Sequence, residues 1–448
     1  MSSLQCVDGS SSSDSDEVFV SVWSLAKRGG SSVQGSKRGA KVDRSPDERT
    51  PWCRTKWDGH VAAKIRTNSW NEYYHMPVSC FDHLHSLLFR ETPAEIEMSK
   101  VKAANSTRMG CIDSKVKLAL TLRQLFGEKR KSMVDVFIVS PTSAREAFLN
   151  VIRRINECPE LAGNLFSTDH SVSVLEIRAH EFALRSSYPN IFRHAVGAID
   201  GLFIKTDMPK AKEVGAVRTY YSGHKKHYGL NMQGVCDASC RFIGFACNTA
   251  GSTSDYVAFR HSNFYGHWPL LPELFYYLGD CAYPLAPFCM TPFIGTNVGE
   301  AEDAFNFYHS QLRITIERAF GIFVNVFGIF QSSMSYSIAN TCEVVEACVR
   351  LHNFRIDQGC QNVSRRMPNG AVFRHVQERG SDVFDVLDDP RYCTDRPHAT
   401  DAAYAQAVAA SEVTAGNTDN AIAGANRRDA VAERLQSVGA ARPLSNAY

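Results

Sequence analysis

The sequence predicts an α/β chain, in which a mixed β-sheet with flanking helices follows an all-helical region and both ends of the chain are disordered. The sheet is predicted by three runs of strand-like alternation that follow Asn190 and are joined by short turns. Helical spacing of apolar residues between Val78 and Leu184 predicts the all-helical region. The 448 residues leave room for two or three domains, and 44% hydrophobic residues suffice for a sizeable core.

The two ends of the chain lack the patterns of a packed core. Residues 1–75 are rich in Ser, Gly, Lys and Arg, and they are predicted to be disordered because this composition buries little surface. A loose basic tract, Lys27-Arg28, Lys37-Arg38 and Lys41, is consistent with nuclear import, with weak attraction to DNA or with a solvated linker. Residues 357–448 are predicted to be a mostly disordered, Ala-rich tail, with at most a weak helix over 402–425.

Charge and cysteine usage limit the partners and the compartment. The net charge of +2 neither favours nor excludes nucleic acid, so the position of the charges matters more than their sum. Many of the 14 cysteines lie in apolar runs, which indicates buried reduced thiols and an intracellular protein. No run of 18 apolar residues occurs, so no membrane partner is expected.

The helical domain, residues 76–190, contains a candidate helix-turn-helix. Ser140 before Pro141 is predicted to cap a second helix that follows a short first helix and a tight turn. Such a unit can place its second helix in the major groove of DNA. The second helix carries few basic residues, namely Arg145, Arg153 and Arg154. DNA reading and a purely structural role therefore both remain open.

The sheet domain is predicted over residues 195–356. Strands are expected at 195–205, 228–236, 241–248 and 274–278, and helices at 256–261 and 311–327. The resulting order, βββαβα, is that of an RNase H-like fold. In this fold one acid lies midway along the first strand, one follows the fourth strand and one lies on the next helix. Asp200, Asp280 and Glu317 occupy those three places.

These three acids are the predicted catalytic residues and metal ligands. Magnesium prefers oxygen ligands, commonly one or two carboxylates completed by phosphate and water. Two Mg²⁺ ions about 3.5–4 Å apart can activate the attacking oxygen and stabilise the leaving oxygen of a phosphodiester. Asp200 would bridge the two ions, and Asp280 and Glu317 would each complete one. Mn²⁺ is an expected substitute for Mg²⁺.

Each acid also has a structural interpretation. Glu317 lies four residues after Arg313, the spacing of a helical ion pair. Asp280 could cap a turn before Pro284. Asp200 is the hardest to explain structurally, because a carboxylate within an apolar strand is costly unless it is paired or binds a metal. Asp255 is a fourth candidate, as metal ligand, as acceptor behind the ligands or as the N-cap of its helix.

A basic segment with interleaved tyrosines follows the first acid and suits phosphate contacts and base stacking. The alternative is a solvated hairpin with Tyr228 in the core. The predicted DNA-binding residues are Lys205, Lys210, Arg218, His224, Lys225 and Lys226.

Six stretches in the order of the chain resemble the motifs of PIF/Harbinger-type transposases, a group with a DDE endonuclease domain. The first is the first-aspartate motif, Gly197-Ala-Ile-Asp200-Gly. The others are Tyr221-Ser-Gly-His-Lys-Lys-His-Tyr-Gly-Leu-Asn231, Gly251-Ser-Thr-Ser-Asp255, Gly279-Asp280-Cys-Ala-Tyr283-Pro, Phe305-Asn306 with Arg313 and Glu317-Arg-Ala-Phe-Gly321, and Leu351-His352-Asn353-Phe354. The resemblance covers about residues 80–356. Leu202 and Phe203 depart from the pattern, since the family usually has Thr-His or a close equivalent there.

The resemblance implies a nuclear, metal-dependent DNA endonuclease or transposase that cleaves, and can transfer, phosphodiester bonds of double-stranded DNA. It also implies a separate Myb-like DNA-binding partner, and it is compatible with a homo-oligomer. The alternative is a catalytically silent, domesticated transposase that binds DNA or chromatin. Intact acids favour the enzyme, whereas Leu202 and Phe203 leave the alternative open.

Overall fold

The computed structural model describes residues 55–90, 97, 101, 112–163, 165, 171–295, 298–360 and 416–442. The predicted basic tract at 27–41, most of the predicted N-terminal segment and residues 361–415 of the tail lie outside this part of the chain. Within the described residues, no helix combines the length and the apolar character needed to cross a membrane.

Eight helices precede the sheet in the described part of the chain. They are α1 (Trp57–Arg66), α2 (Trp70–Tyr74), α3 (Val78–Leu88), α4 (Ser114–Leu125), α5 (Arg130–Phe137), α6 (Pro141–Glu157), α7 (Pro159–Ala162) and α8 (Val172–Ala183). The helical region therefore begins at Trp57, inside the segment predicted to be disordered. The reason is an aromatic cluster, in which Trp57 stacks on Phe81 at 5.0 Å between ring centroids and lies edge-on to Trp70.

The sheet is mixed and has six strands in the described part of the chain. Its strands are β1 (Ala195–Lys205), β2 (Tyr221–Ser222), β3 (His227–Cys236), β4 (Phe242–Ala250), β5 (Tyr276–Leu278) and β6 (Cys289–Met290). β1 lies in the centre, antiparallel to β3 and parallel to β5, while β4 flanks β3 and β6 flanks β5. The predicted β1 is confirmed at both ends. The α/β class with a mixed sheet, flanking helices and a helical N-terminal region is also confirmed.

Five further helices follow β1 in the described part of the chain, and one of them carries the third acid. They are α9 (Ala211–Val214), α10 (Asp255–Arg260), α11 (Glu300–Val326), α12 (Ile338–Asp357) and α13 (Gly416–Ser437). The predicted helix 311–327 is thus the second half of a 27-residue helix. Its start was missed because the acidic first turn, with Glu300, Glu302 and Asp303, lacks apolar periodicity but favours the positive end of the helix dipole.

The two faces of the sheet carry separate apolar layers. Side chains alternate between the faces along a strand, and directly paired residues share a face. Ala198, Leu202 and Ile204 of β1 face a large core that includes Phe320 of α11 and much of the N-terminal helical region. Ile199, with Val235 opposite, faces a smaller aromatic core around Phe259 and Tyr283. Even-numbered β1 residues from 198 to 204 therefore point toward α11, and odd-numbered ones point away from it.

Residues 416–442, within the tail predicted to be mostly disordered, include a helix packed on the sheet domain. Arg428 of α13 lies over the ring of Phe293 at 3.9 Å, and Arg427 donates a hydrogen bond to Pro287 O at 2.6 Å. Gly424 permits close approach, because a Cβ there would meet Ala286 N at 2.7 Å. This docking was missed because the helix is Ala-rich and polar and buries only a narrow apolar edge.

We expect Leu435→Ala to lower the free energy of unfolding by about 2–5 kcal/mol, the usual cost of truncating a buried leucine. Leu435 is 0% exposed and lies on the docked side of α13. Urea denaturation of the full chain would measure the change. Val438→Ala is the control, since Val438 is 56% exposed. Equal effects of the two substitutions would contradict the docking of this helix.

Candidate active site

Asp200 lies in the middle of the central strand, on the side that faces α11. It is 3% exposed, and its neighbour across the antiparallel pair is Gly234. A Cβ on Gly234 would meet the ring of Phe320 at 2.8 Å, so the glycine leaves room for α11 beside the acid. Asp200 Oδ1 accepts a hydrogen bond from Gly201 N at 2.7 Å. The carboxylate is therefore almost buried, as its apolar strand predicted.

Asp280 follows β5 by two residues, at the C-terminal end of the strand that runs parallel to β1. Its Oδ1 accepts a hydrogen bond from Ala282 N at 2.9 Å, and Tyr283 N donates to its backbone oxygen at 3.1 Å. The structural interpretation of Asp280, a turn cap before Pro284, is thus confirmed. That cap fixes the carboxylate just beyond the C-terminal end of β5, and it does not exclude a catalytic role.

Glu317 lies on α11 and shares one guanidinium with Asp200. Arg313 Nη2 contacts Glu317 Oε1 at 2.6 Å, and Arg313 Nη1 lies 3.6 Å from Asp200 Oδ2. The helical ion pair predicted for Glu317 is therefore present. The extension of the same guanidinium to Asp200 was not predicted, because sequence spacing shows contacts along one helix but not those between a helix and a strand.

All three acids act electrostatically on Arg313. Burial lowers the pKa of Arg313, but Glu317, Asp200 and Asp280 raise it more, so the net pKa lies above its usual value. Two of the three acids contact the guanidinium directly, and the third is close enough to contribute. Arg313 is therefore the one cationic group on which all three predicted acids act.

The donor chemistry fits magnesium, whereas in this structure two of the acids contact the guanidinium of Arg313. Three carboxylates are suitable hard oxygen ligands. Among the residues that the structure describes, no three His, Cys, Asp or Glu side chains are grouped closely enough to hold a metal ion. Asp200, Asp280 and Glu317 instead act on the positive charge of Arg313. A metal ion bound by the same side chains would occupy the same region.

Asp255 lies on the other side of the sheet from Asp200. A Cβ on Gly201 would overlap Asp255 Oδ1, and Gly201 points away from α11 because it alternates with Asp200. Ser254, and not Asp255, caps α10, since Ser254 Oγ accepts from Val257 N at 3.5 Å. The predicted cap role of Asp255 is thus wrong. As a metal ligand, Asp255 stays a prediction.

A buried amide network holds Asp255, and sequence reasoning missed it. Asp255 Oδ1 accepts hydrogen bonds from Asn231 Nδ2 at 3.0 Å and Gln233 Nε2 at 3.1 Å. Tyr283 donates its hydroxyl to Gln233 Oε1 at 2.6 Å. Burial raises the pKa of Tyr283, as do Asp255, Asp200 and Asp280, so the phenol remains the donor. Tyr283 thereby connects the Asp280 turn to the Asp255 network. The alternation of polar residues in β3, Asn231 and Gln233, was the available signal.

Leu202 and Phe203, which depart from the family pattern, are accommodated by packing. Leu202 contacts the large core on the α11 side. The Phe203 ring fills space left by two glycines, because a Cβ on Gly251 would meet its Cε2 at 2.7 Å and a Cβ on Gly229 would meet its Cζ at 2.5 Å. The departure therefore changes packing beside the site and leaves the three acids in place.

The predicted DNA-binding residues are all exposed, and they lie toward the C-terminal end of β1. β2 and β3 form a hairpin, in which Ser222 pairs with His227 and the loop between them carries His224, Lys225 and Lys226. Lys205 pairs with Gly229 at the base of the hairpin. Because β1 and β5 are parallel, Asp280 lies at this same end of the sheet.

The helix-turn-helix candidate is present as α5, a tight turn and α6, but its environment favours a structural role. Ser140 caps α6 as predicted, accepting from Ser143 N at 3.0 Å. The exposed side of α6 balances Arg145 and Arg153 with Glu146 and Glu157. Arg154 is used internally, because it donates to Leu88 O at 3.0 Å.

We expect Lys225→Ala with Lys226→Ala to weaken duplex binding at all sequences and to reduce the slope of log K against log salt by about two, roughly one for each lost phosphate contact. Fluorescence anisotropy between low and moderate salt would measure the slope. Arg145→Ala with Arg153→Ala is the matched control and should leave the slope unchanged. The reverse result would assign DNA contact to α6 and not to the hairpin.

Comparison with known proteins agrees with this geometry. Residues 199–353 match the model of the DDE superfamily endonuclease family. The chain is 26% identical to the protein ALP1-like of Arabidopsis thaliana over 41% of this chain and 47% of that protein. It is 23% identical to HARBI1 of Bos taurus and of Homo sapiens, named as a candidate nuclease, over 52% of this chain and 64% of each relative. No solved structure matches the chain.

Proposed function

We propose that the DDE superfamily endonuclease domain at residues 199–353 makes this chain a metal-dependent DNA endonuclease of the transposase type. The observation that carries the proposal is the contact of Arg313 with both Asp200 and Glu317, with Asp280 acting electrostatically on the same guanidinium. The match at low identity to HARBI1, which is named as a candidate nuclease, supports the same reaction class. The chain spans only about half to two thirds of those relatives, so activity and substrate remain proposals.

Asp200, Asp280 and Glu317 would hold the divalent ions, Mg²⁺ or Mn²⁺. When bound, two such ions would activate the attacking oxygen and neutralise charge on the leaving oxygen. The protein's own contribution is position. β1 fixes Asp200 at 3% exposure, the turn from Asp280 to Ala282 fixes the second acid, and Glu317 stays on the more open side with 40% of its side chain exposed.

The exposed basic hairpin would bind the DNA backbone beside the acids. Lys225, Lys226 and His224 are exposed at the end of the sheet that also carries Asp280, and Lys205, Lys210 and Arg218 are exposed nearby in sequence. Tyr221 is 40% exposed and lies 5.2 Å from Tyr228 between ring centroids, so it can offer a ring to an unpaired base. Double-stranded DNA is therefore the proposed substrate, with a nuclear location and a Myb-like partner as further parts of the proposal.

A second candidate function is a silent DNA- or chromatin-binding protein. The Arg313 bridge favours it, because the guanidinium already contacts two of the acids that would hold a metal ion. The two functions differ in one property: a silent protein would bind DNA without ever requiring a divalent ion.

Nicking of supercoiled plasmid tests the proposal. Wild-type protein with Mg²⁺ should nick the plasmid, and EDTA or Asp280→Ala should abolish nicking without loss of DNA binding. Equal nicking by both proteins would show that another activity, or a contaminant, cuts the DNA. Binding by the wild type with no nicking in Mg²⁺ or Mn²⁺ would favour the silent protein.

A further inference from the structure

Arg313 is placed where a metal ion would need to be. It extends from the α11 turn before Glu317, and its two terminal nitrogens contact Glu317 Oε1 at 2.6 Å and Asp200 Oδ2 at 3.6 Å. Only 19% of its side chain is exposed, so water screens these ion pairs only weakly. The same guanidinium is close enough to Asp280 for that acid to raise its pKa further.

A cation at this position solves a problem of the metal-free protein. Asp200 is almost buried, and a buried carboxylate without a partner is costly. Asp200, Asp280 and Glu317 also repel one another unless positive charge lies among them. Arg313 supplies that charge from within the chain, so Asp200 and Glu317 have a cationic partner before any metal arrives.

The same contacts oppose metal binding. A divalent ion on Asp200 and Glu317 would repel the guanidinium. The same carboxylate oxygens cannot coordinate the metal ion and also keep their full ion pairs with Arg313. The guanidinium therefore has to leave at least one of the two acids when a metal ion binds. Its side chain is long and reaches the two acids from α11.

We propose that Arg313 is an exchangeable internal counter-ion, which holds the acids in the metal-free protein and moves to a DNA phosphate when metal binds. This inference rests on the proposed function, because it requires a metal site and a DNA substrate. A phosphate beside the site gives the displaced guanidinium a bidentate partner. When DNA draws Arg313 away, the acids become free to bind metal. When metal displaces Arg313, the guanidinium becomes free to bind DNA. Each ligand therefore increases the affinity of the protein for the other.

The exchange has a regulatory consequence. Without DNA the acids are paired internally, and metal affinity is low. With DNA bound the site becomes able to take up metal. By linkage, the factor by which DNA tightens metal binding equals the factor by which metal tightens DNA binding. The enzyme would be loaded with metal on its substrate and would stay unloaded away from it.

Mn²⁺ binding measured by electron paramagnetic resonance of the free ion tests the exchange. The titrations use full-length wild type and Arg313→Gln, each with and without a short duplex, and a DNA-only blank. We expect DNA to tighten Mn²⁺ binding by wild type about tenfold or more, within the usual range for linked sites. Arg313→Gln should bind Mn²⁺ about tenfold more tightly than wild type without DNA and gain little from DNA.

Two arginine variants serve as controls. Arg313→Lys keeps a cation and should behave more like wild type than Arg313→Gln does. Arg318→Gln removes a neighbouring arginine of α11 that interacts with Cys240 and Arg185, and it should leave Mn²⁺ affinity unchanged.

Thermal melting gives a readout independent of cleavage. Arg313→Gln should melt at a lower temperature than wild type without Mn²⁺, and added Mn²⁺ should stabilise it more than it stabilises wild type. A variant that folds only with Mn²⁺ would agree with the proposal, and one that fails to fold under either condition would count against it.

The results separate this inference from the proposed function. If wild type and Arg313→Gln bind Mn²⁺ equally while Asp200→Asn abolishes binding, the exchange is wrong and the metal site stands. If no variant shows saturable Mn²⁺ binding with or without DNA, both the metal site and the exchange are wrong.

Discussion

Asp200→Asn is expected to reduce Mg²⁺-dependent cleavage of DNA by at least about a hundredfold, because changes to groups that only support a metal ligand already cost about 10–100-fold. The substitution keeps the shape of the side chain and can keep the acceptor for Gly201 N. It removes the negative charge that a divalent ion would need and that Arg313 contacts at 3.6 Å. Among the three acids Asp200 should give the largest loss, since it is the most buried and has the fewest alternative solvent contacts.

A second aspartate of the same sheet provides the matched control. Asp237 follows β3 beyond its pairing with the N-terminal half of β1, and its Oδ1 accepts from Ser239 N and Arg241 N. Burial raises the pKa of Asp237, so a neutral amide suits the site. Asp237→Asn should therefore leave cleavage within about twofold of wild type, as expected for a site that makes no contact with the reacting groups. Similar losses for both variants would indicate a general effect on the sheet.

Initial rates of plasmid nicking, normalised to the active fraction from DNA binding, would measure the change. Unchanged nicking by Asp200→Asn would remove Asp200 from the catalytic set, and with it the two-ion arrangement. Loss of nicking together with loss of the folded state, seen by circular dichroism, would assign Asp200 to stability instead.

The sheet could be predicted from sequence because its signals are local. β1 alternates through Phe203 and Ile204, and the turn Asp237-Ala-Ser-Cys240 is polar, so strand limits were readable to within a few residues. The places of the three acids followed from the order of the elements. Contacts between elements carry no such local signal. Arg313 reaches Asp200 across the helix–sheet interface, and Tyr283 reaches Gln233 over 50 residues of chain, so both could be found only in three dimensions.

The helices found within the two segments predicted to be disordered were missed for a related reason. Trp57 and Trp70 read as isolated aromatics in a polar segment, and their burial depends on Phe81 in a later helix. The α13 helix has a weak apolar pattern of its own, and it is held by arginine contacts to backbone oxygens and a ring elsewhere in the chain. Composition shows how much apolar surface a segment can bury. It does not show which surfaces of other segments the segment packs against.

The stability of the folded chain is expected to fall steeply as the pH is lowered from 7.5 to 5, because buried histidines resist protonation. His352 of α12 and His309 of α11 are 0% and 1% exposed. Burial lowers the pKa of each to about 4, aided by Arg355 near His352 and by Arg313 and Arg428 near His309, and opposed by a backbone hydrogen bond to each ring. Both imidazoles are therefore neutral in the folded protein at pH 7.

The sign follows from the unfolded state, in which a histidine has its ordinary pKa of about 6.5. Above that pH neither state binds the proton, and the contribution to stability is fully present. As the pH falls below about 6.5, the unfolded state takes up protons that the folded state excludes until about pH 4. Each histidine should thus lower the free energy of unfolding by about 2 kcal/mol between pH 7.5 and pH 5, and by about 3 kcal/mol once both states are protonated.

His352→Gln isolates one of these contributions. The imidazole lies 2.9 Å from Cys240 O through Nε2, while its buried Nδ1 has no hydrogen-bond partner in the described structure, so a proton there would be uncompensated. Glutamine can donate to the same carbonyl and does not titrate. Urea denaturation at pH 7.5 and pH 5 should show a pH-dependent loss smaller by about 2 kcal/mol in this variant. His224→Gln, in the exposed hairpin loop, should keep the wild-type loss. If His352→Gln also keeps that loss in full, the buried ring accepts a proton in the folded state, and the acid sensitivity of the chain arises from its carboxylates.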